Sequence, residues 1–578
     1  MLIKEIKWHE WGEKAFKLAK DLDRPILLKI GAKWCHWCHV MEDTTYRDED
    51  VVNLVNSHFI AISVDNDRRP DINQRYNMGG WPTTVFLTPT GEILTGGTYF
   101  PPQKLKLLLE RVSNYYREHR DEIYAKISES EHLIEEEIKL REGKLNQKII
   151  HDVIGYIVDS FDPDFGGFGN APKFHHSDAL NLSLKWYNRT GDEYYLNIVL
   201  KTLDKMSSGV IFDHVYGGFF RYSTTRDWSI PHFEKMLEDN ANLLKTYLNA
   251  YAITSDLKYK ETAIKILNYI DSRLFDKENG GFYGSQSADE EFYRLDEKER
   301  AFMKEPPVDK TKFTNWNSIA ISSYLHAFNI LDEKKYLKYA LKSIEFLLKN
   351  SYEEGEGVYH YSNELKILSD QIYFSKALID AYESTGKRNF IEYSKDIADF
   401  ILKNFYDNSG GFFDIMEDKG AIGNLKMRNK GIQENVIAAQ VFIKLHYLLS
   451  KKDYIEIAEK TLLAFSELYQ RYGIFACAYA DAVDMYLYPV NLVIVGPERD
   501  EGTINLHKEV LRFFEPNKII EILNPEKHEK RISKLNYPVH EEPKLYVCAN
   551  EFCSEPIDAD ERAFETMSNF VKSRLSFN

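Results

Sequence analysis

The chain has 578 residues, with 90 acidic and 74 basic side chains and a formal net charge of −16. This length can support several hydrophobic cores, so we expect two or more large domains. Because Lys and Arg are dispersed among Asp and Glu, a nucleic-acid partner is disfavoured. The N-terminus lacks an apolar run of signal-peptide length, and no later run approaches the ~20 apolar residues of a membrane span. The sequence therefore predicts a cytoplasmic protein with neither a membrane nor a nucleic-acid partner.

The first hundred residues alternate helix and strand signals in the manner of an α/β domain. The pattern predicts an amphipathic helix over 11–23, a buried strand over 25–30, a helix over 48–58 and a second strand over 59–65. Further on, GGWPTTVFLTPTGEIL predicts two strands that flank a turn at Thr90 and Gly91. Strand, CxxC and helix follow one another directly, because the strand over 25–30 runs into GAKWCHWCHVME.

This order of elements resembles thioredoxin. It puts Cys35 at a helix N-terminus, where free N–H groups and the helix dipole favour a thiolate. Cys35 is then the nucleophile and Cys38 the resolving thiol. The resemblance also implies that Trp81–Pro82 is a cis peptide bond beside the dithiol.

Charged neighbours are expected to tune the dithiol. A protonated His36 or His39 would stabilise a nearby thiolate and make the disulfide more oxidising. Lys29 stands six residues before Cys35, where thioredoxins carry a buried acid. A buried Lys29 would act in the same direction or lose its proton, and the usual proton acceptor for the resolving thiol is absent.

The same motif has three other interpretations. CxxCH is also a haem-attachment pattern, although such a site does not normally follow a buried strand directly. A zinc site would need more ligands than Cys35, Cys38, His36 and His39 can supply, since they lie too close in sequence to close one tetrahedron. The dithiol could also be a structural remnant of a thioredoxin-like fold, because fold does not fix function.

A highly charged helix is predicted from Pro101 to about Leu140, with a domain boundary near 145. Beyond it, a glycine-aromatic signal recurs six times, each time between an amphipathic helix and a less charged helix. Glycines supply the positive φ angles of tight turns. Six helix pairs closing head to tail predict an (α/α)6 toroid. The copies are FGGFG (165–169), YGGFF (216–220), NGGFYG (279–284), GEGVYHY (355–361), SGGFFD (409–414) and YGIFACAY (472–479).

The hairpins and inner-helix N-termini should surround one mouth of this toroid, which is the default ligand pocket. Carboxylates interleaved with aromatic side chains there suit a carbohydrate. The principal candidates are His175, Arg221, Trp228, His232, Glu234, Lys235, Asp239, Asn240, Trp316, Asn317 and Asp370. The wider set adds Lys173, His176, Asp178, Tyr222, Asp289, Glu434, Asn435 and Asp484.

RYSTTRDWSIPHFEKMLEDNANLL, residues 221–244, is the densest part of this set. Helix-start chemistry alone would select Pro231 before a helix, Glu234 and Glu238 in its early turns, and Asp239 or Asn240 as caps. As a catalytic cluster, the stretch would need two carboxylates flanking a sugar for glycoside cleavage, or two acid/base groups flanking one carbon for epimerisation. The sequence leaves open which pair would act.

The last hundred residues predict a small α/β appendage. YPVNLVIVGPERD, NKIIEIL and KLYVCAN are strand signals. TINLHKEVLRFF, between the first two, and DADERAFETMSNFVKSRL, after the last, are helix signals. Cys548 and Cys553 flank the last strand. They are either a second redox or metal pair, or small residues that pack against the strand.

Several motifs together resemble the spermatogenesis-associated protein 20 family. The resemblance spans nearly the whole chain and implies a thioredoxin-like domain fused to an (α/α)6 domain similar to six-hairpin glycosidases and N-acylglucosamine 2-epimerases. This chain has YNMGGWP, SQSADEEF and GIQENV where the family pattern differs, and the last two segments belong to the expected mouth. The motifs are CHWCHVME, GGWPTTVFLTPTG with GTYFPP, GGFGNAPKF, WSIPHFEKMLEDNA, TNWNSIAI and YVCANEFCSEP.

We therefore predict a thioredoxin-like domain over 1–145, an (α/α)6 six-hairpin glycosidase-like domain over 146–488 and a C-terminal α/β subdomain over 489–578. The leading functional hypothesis is a thiol-disulfide oxidoreductase that uses Cys35, His36, Cys38, His39 and Pro82, with a redox partner protein and a toroid that binds a small molecule. The alternatives are a sugar-active toroid with a regulatory thioredoxin-like domain, and a non-catalytic scaffold. No cofactor or metal is predicted.

Overall fold

The computed structural model describes residues 5–131, 143–549 and 552–575. The chain divides into two compact units. One comprises residues 1–139, 286–309 and 414–429, and the other comprises 140–285, 310–413 and 430–578. The first unit thus includes two segments that the sequence analysis assigned to the toroid.

A five-stranded sheet forms the centre of the first unit, in the order β1-β3-β2-β4-β5. β1 and β2 run parallel to β3, whereas β4 runs antiparallel to β2 and to β5. β2 and β3 are almost wholly buried, which accounts for their continuous apolar sequences. This arrangement confirms the predicted thioredoxin-like fold. The strands are β1 (Trp8–His9), β2 (Ile26–Gly31), β3 (Ile60–Asp65), β4 (Thr83–Leu87) and β5 (Ile93–Gly97).

Helices pack apolar side chains on both faces of this sheet. Phe16 and Ala19 lie in one cluster, and Val55, Leu105 and Leu109 lie in the other. The helix predicted from 101 to 140 is interrupted at residue 119. Residues 132–142, which include the rest of this predicted helix and the segment before the predicted domain boundary near 145, lie outside the described residues. The helices are α1 (Glu13–Leu22), α2 (His36–Asp43), α3 (Glu49–His58), α4 (Pro70–Tyr76), α5 (Pro102–Glu118) and α6 (Arg120–Glu131).

The two additional segments of this unit carry short elements only. Arg75 fixes the later segment through a buried bidentate ion pair with Asp414, with Nη1 2.8 Å from Oδ2. The earlier segment contains helices Glu290–Tyr293 and Glu297–Arg300 and strand Val308–Asp309, and the later one contains the 3-10 helix Gly423–Lys426.

In the second unit, six outer helices alternate along the chain with six inner helices. Each inner helix contacts the next, and the last contacts the first, so the ring closes and the predicted (α/α)6 toroid is confirmed. The outer helices are Gln147–Ser160, Glu193–Ser208, Leu257–Tyr269, Lys334–Asn350, Asn389–Asn404 and Lys452–Leu463. The inner helices are Ser177–Thr190, Leu237–Thr254, Thr314–Leu331, Leu368–Thr385, Ile432–Leu449 and Cys477–Leu487.

Five of the six predicted glycine-aromatic hairpins pair across their tips. Four use a single antiparallel bridge such as Phe212 to Phe219, and the fourth copy uses strands Tyr352–Glu353 and Gly357–Val358. The sixth copy instead forms the 3-10 helix Tyr469–Ala476, which corrects the expectation of six equivalent hairpins. Other short elements are the π-helix Ile270–Leu274 and strands Tyr222–Ser223, Pro231–His232, Lys235–Met236 and Ser285–Gln286.

The C-terminal residues add a small sheet, flanked by helices, to the second unit. Strand Val490–Val495 runs parallel to Lys518–Leu523 and antiparallel to Lys544–Ala549. Strands Phe552–Cys553 and Ile557–Asp558 both pair with Lys544–Ala549. The helices are Glu501–Arg512, Glu529–Leu535, which the sequence analysis missed, and Ala563–Leu575. Within the described parts of the chain, every helix falls short of the length and apolar character that a bilayer crossing demands.

Candidate functional site

The dithiol lies where β2 passes into α2. Cys35 is the N-cap of α2, and its Sγ accepts a hydrogen bond from the Cys38 backbone N–H at 3.2 Å. Cys35 and Cys38 are joined as a disulfide, with Cα atoms 5.3 Å apart. A helix start leaves backbone N–H groups without partners and favours negative charge. Cys35 therefore occupies the position where a thiolate gains most from the helix.

The sulfur atoms lie inside a rim of exposed side chains. Cys35 and Cys38 are each only 4% exposed, whereas Trp37 is 45% exposed and His36 and His39 are also open to solvent. His39 Nε2 lies 2.7 Å from the Lys33 carbonyl oxygen, so the ring is held against the loop that precedes the helix. The rim rather than the sulfur atoms is thus what a partner would meet first.

Two tryptophans connect the dithiol loop to the following proline. Trp34, directly before Cys35, packs edge-to-face on Trp81 with ring centroids 5.8 Å apart. The Trp81–Pro82 peptide bond is cis, as the resemblance to thioredoxin implied. The dithiol loop and the cis-proline loop are therefore packed as one unit.

Lys29 does not sit unpaired beneath the dithiol. Its Nζ is 2.7 Å from Glu42 Oε1, and the side chain is 13% exposed. Its Nζ also lies 4.9 Å from the centre of the Trp8 ring, a cation–π contact. Lys29, on β2, is accordingly paired with a carboxylate of α2 and does not lie isolated beneath the dithiol.

A carboxyl that the sequence analysis missed lies beside the dithiol loop. Asp67 is 6% exposed and accepts a hydrogen bond from Trp34 Nε1 at 2.7 Å. Burial raises the pKa of Asp67 to about 7, and the charge of Asp65 adds to the effect. Sequence order could have identified it, because β2 and β3 are parallel and their carboxyl ends, one leading to the cysteines and one to Asp67, share an edge of the sheet.

The segment 286–309 also reaches this loop. Asp309 Oδ1 is 3.2 Å from Lys33 Nζ, and Ser287 Oγ is 3.5 Å from the Lys33 carbonyl oxygen. Asp309 also contributes negative charge that raises the pKa of Asp67. The surroundings of the dithiol are therefore built from residues more than 250 positions apart in sequence.

Asp67 predicts a pH-dependent stability. Its pKa is near 7 in the folded protein and ~3.9 when unfolded, so the folded state binds the extra proton between these values. As the pH rises from 4 to 7, deprotonation of Asp67 should lower the free energy of unfolding of the wild type. D67N has no group that titrates at this position, so it should show no such decrease. We expect the free energy of unfolding of D67N, relative to that of the wild type, to be at least about 1 kcal/mol higher at pH 8 than at pH 4. Urea unfolding at both pH values measures this. D43N, at an exposed site on α2, should show no such gain, and an equal gain in both variants would contradict the prediction.

In the toroid, a repeated lysine and asparagine pair fixes the glycine-aromatic hairpins. Lys235 Nζ donates to Asp213 Oδ2 at 2.6 Å and to the Gly217 carbonyl oxygen at 2.8 Å. Five residues later, Asn240 accepts from the Phe219 N–H and donates to its carbonyl oxygen. The same contacts recur in Lys312 with Asp276 and Asn317 with Phe282, and in Lys430 with Asp407 and Asn435 with Phe412. We call this arrangement the hairpin clamp.

The hairpin clamp gives several predicted pocket residues a structural position. Lys235, Asn240 and Asn317 are clamp members and are completely or almost completely buried. Trp228 is 1% exposed and donates from Nε1 to the Phe165 carbonyl oxygen. Asp370 is fully buried and lies 3.0 Å from His360 Nδ1. These side chains hold the hairpins together and do not line an open cavity.

Arg221, His232 and Glu234 form a packed group after the second hairpin, whereas Trp316 lies on the third inner helix. Tyr222 stacks on His232 with centroids 4.5 Å apart, and the Arg221 guanidinium lies 5.6 Å from the Tyr222 ring centre. Glu234 is 2% exposed, with Oε2 3.6 Å from His232 Nδ1. The short strands Pro231–His232 and Lys235–Met236 precede the helix, which begins at Leu237, so the expectation that Pro231 opens it is wrong. Trp316 packs on Phe313.

One cavity of about 170 Å³ opens at the N-termini of the inner helices. Two of the eleven principal candidates, His175 and Asp239, line it. Asp178 and His176 from the wider set line it as well. Sequence reasoning missed Asn242, which stands one helical turn after Asp239 and could have been found by that spacing. The remaining lining residues are Phe174, Ser177, Ala179, Gln433, Ile474 and Phe475.

Asp178 is the second residue of the first inner helix, Ser177–Thr190, and is open to the cavity. Lys173, which precedes this helix, makes the usual clamp bonds to Asp162 and the Gly166 carbonyl oxygen. The clamp asparagines are each the fourth residue of their helices, and the fourth residue here is Leu180, which has no side-chain amide. The first repeat therefore keeps the lysine of the clamp without its asparagine, and places an acid in the cavity two positions earlier.

The cavity combines neutral and acidic groups. Burial raises the pKa of Asp239 to about 6, although the charge of Arg221 opposes this. Burial also raises the pKa of Asp178, with the charge of Asp481 adding to it. Burial lowers the pKa of His175 to about 3, and its Nε2 has no hydrogen-bond partner among the described residues. A neutral imidazole and two acids with raised pKa thus face one small space.

No group of three or more His, Cys, Asp or Glu side chains with metal-binding geometry occurs within residues 5–131, 143–549 and 552–575.

Comparison with known proteins matches both parts of the chain. A family model described as "Protein of unknown function, DUF255" and labelled Thioredox_DsbH matches residues 2–135. Spermatogenesis-associated protein 20 of Homo sapiens is 24% identical, over 96% of this chain and 88% of the human protein. An uncharacterized protein of Caenorhabditis elegans is 25% identical, over 98% of this chain and 95% of its own length. These matches confirm the resemblance predicted from the motifs.

Solved structures resemble the helical part. A cellobiose 2-epimerase from Bacillus thermoamylovorans is 15% identical with a TM-score of 0.46, covering 55% of this chain and 84% of the epimerase. A sugar epimerase from a ruminal bacterium is 15% identical with a TM-score of 0.47, covering 56% of this chain and 86% of that protein.

Proposed function

We propose that the protein is a thiol-disulfide oxidoreductase that exchanges disulfides at Cys35 and Cys38. The observation that carries the proposal is the position of Cys35 as N-cap of α2, with its Sγ accepting the Cys38 N–H. This hydrogen bond and the helix dipole both stabilise a thiolate on Cys35 more than a thiol. Cys38 lies one helical turn further and is already close enough to bond to Cys35.

In the direction of substrate reduction, the Cys35 thiolate attacks one sulfur of the substrate disulfide. A bond forms between Cys35 Sγ and that sulfur, and the electron pair of the broken bond leaves on the other substrate sulfur, which takes up a proton. The Cys38 thiolate then attacks Cys35 Sγ, which releases the first substrate sulfur as a thiolate. Two electrons have passed to the substrate, and an external dithiol reductant restores the reduced pair.

The exposed rim supplies a surface for the partner. Trp37 and His36 stand outside the buried sulfur atoms, so a protein substrate would contact these rings as its disulfide approaches Cys35. Aromatic side chains are favoured at such contact surfaces because they bury a large area with little loss of side-chain entropy. The partner class proposed is accordingly a protein disulfide rather than a small metabolite.

A redox titration tests the proposal. The protein is equilibrated in glutathione buffers of graded potential, alkylated, and digested so that mass spectrometry quantifies the Cys35–Cys38 peptide separately. We expect the pair to pass fully between dithiol and disulfide across the series. A pair that stays reduced in strongly oxidising buffer would overturn the proposal.

A second candidate function is a polyol-binding and acid-catalytic site in the toroid cavity. The observation that favours it is that His175, whose buried Nε2 has no hydrogen-bond partner among the described residues, lines a cavity together with Asp178 and Asp239. A neutral imidazole can donate to or accept from a sugar hydroxyl. A carboxyl with a pKa near 6, such as Asp239, can give a proton to a leaving oxygen near neutral pH.

Calorimetric titration with neutral mono- and disaccharides tests this second function. We expect H175A to weaken binding by ~2–10-fold, the value of one neutral hydrogen bond. D239N should abolish turnover of a bound sugar while leaving binding nearly intact. Glu392→Gln, an exposed change on an outer helix, is the matched control and should alter neither. Absence of binding by every sugar, or equal effects of H175A and E392Q, would refute the assignment.

A further inference from the structure

The second disulfide of the chain joins two neighbouring strands of the C-terminal sheet. Cys548 lies on strand Lys544–Ala549 and pairs directly with Cys553 on strand Phe552–Cys553. The two residues form a disulfide with Cα atoms 4.0 Å apart. Strand Phe552–Cys553 is at the end of the sheet order, so no strand among the described residues pairs with its outer edge.

This disulfide is open to solvent, unlike the first. Cys553 is exposed and Cys548 is half-buried, whereas Cys35 and Cys38 are each 4% exposed. Phe552, next to Cys553, is 56% exposed. Cys553 is therefore the more open of the two cysteines to an incoming thiolate.

Fold stability does not account for a crosslink at this place. Strand Lys544–Ala549 is already fixed by a six-residue antiparallel ladder to Val490–Val495. Leu545, Val547 and Ala549 also lie in the hydrophobic core of the C-terminal part. A disulfide between residues only five positions apart removes less loop-closure entropy than one that closes a long loop.

A tyrosine hydroxyl lies beside the sulfur of Cys548. The Tyr537 hydroxyl lies 3.9 Å from Cys548 Sγ. Burial raises the pKa of Tyr537 to about 12, so the hydroxyl keeps its proton at the pH of thiol exchange. It can therefore donate to a thiolate that forms on Cys548. A stabilised thiolate is the better leaving group in disulfide exchange.

We infer that Cys548–Cys553 is a second thiol-disulfide exchange site, in which an external dithiol attacks Cys553 and Cys548 leaves as the thiolate held by Tyr537. In the first step a bond forms between the attacking sulfur and Cys553 Sγ, the Cys548–Cys553 bond breaks, and its electron pair goes to Cys548 Sγ. The second thiolate of the dithiol then attacks its own partner sulfur and releases the Cys553 thiolate. The dithiol is oxidised to a disulfide, and the protein gains two electrons.

The test uses the full chain with Cys35 and Cys38 both changed to Ser, so its outcome does not depend on the function proposed for those residues. The native protein is mixed with reduced glutathione, quenched with N-ethylmaleimide, digested and mapped by mass spectrometry. We expect the glutathione adduct on Cys553 and the maleimide on Cys548. An adduct mainly on Cys548, or reduction that occurs only after unfolding in urea, would overturn the inference.

The role of Tyr537 is tested in the same background. With dithiothreitol as the reductant, we expect Y537F to slow reduction of the native disulfide by about fivefold, the value of one hydrogen bond. Tyr546→Phe is the matched control, because Tyr546 packs on Tyr537 but its hydroxyl bonds to the Pro538 carbonyl oxygen. If the reduction is slowed in Y537F but not in Y546F, the result supports Cys548 as the leaving sulfur. Equal rates in the two variants contradict it.

Discussion

Cys35→Ser is expected to reduce the rate of thiol-disulfide exchange at the N-terminal site to that of the uncatalysed reaction. Cys38→Ser should retain the first step, the attack of Cys35 on the substrate disulfide, and stop after it. Cys35 alone has the helix N-cap position and the hydrogen bond from the Cys38 N–H, so its removal takes away the stabilised thiolate. Loss of an activated nucleophile in a cooperating set typically costs 10³-fold or more, and we expect a loss on the order of 10³-fold. Cys38→Ser leaves the nucleophile but no resolving thiol, so a mixed disulfide on Cys35 should accumulate.

The measurement uses a peptide disulfide whose cleavage releases a quenched fluorophore, in a background with Cys548 and Cys553 changed to Ser. Cys477→Ala is the control. Burial raises the pKa of the Cys477 thiol well above its usual range, and the side chain is 1% exposed, so it should take no part in exchange. If Cys35→Ser retained the exchange rate of the control, the proposed oxidoreductase activity would be wrong.

The sequence predicted the architecture well because both folds repeat or order their elements along the chain. The six glycine-aromatic copies mark six helix pairs, and the strand, CxxC, helix order marks the thioredoxin-like sheet. What the sequence did not predict is that 286–309 and 414–429 belong to the thioredoxin-like unit. Their anchors, such as the Arg75–Asp414 ion pair, join residues more than 300 positions apart, and no local pattern encodes such a pairing.

The candidate sites were predicted unevenly, for a physical reason. Around the dithiol, helix-start chemistry is local, so Cys35 and Cys38 could be placed from sequence. In the toroid, a polar residue near a hairpin can either bond the hairpin backbone or face the cavity, and composition does not distinguish the two. Asn240 and Asp178 illustrate this, because each lies in the first turn of an inner helix, yet one is part of a hairpin clamp and the other is open to the cavity.

Lys235 tests the hairpin clamp directly. Lys235→Met should lower the free energy of unfolding by about 3–5 kcal/mol, because it leaves the Asp213 carboxylate buried without its partner. The two side chains are 1% and 0% exposed, and Nζ also donates to the Gly217 carbonyl oxygen at 2.8 Å. The effect should be visible as a lower urea midpoint for the loss of helical circular dichroism.

Lys258→Met is the matched control for this prediction. It deletes the same charge from an ion pair of similar length, Lys258 with Asp204 at 2.9 Å, whose side chains are 49% and 44% exposed. Exposed pairs contribute ~0–1 kcal/mol, so the control should lose little. Adding Asp213→Asn to Lys235→Met should recover part of the loss, because the unpaired carboxylate is then neutral. Losses of equal size at Lys235 and Lys258 would show that the buried pair does not hold the hairpin, and would return Lys235 to the set of candidate ligand-binding residues.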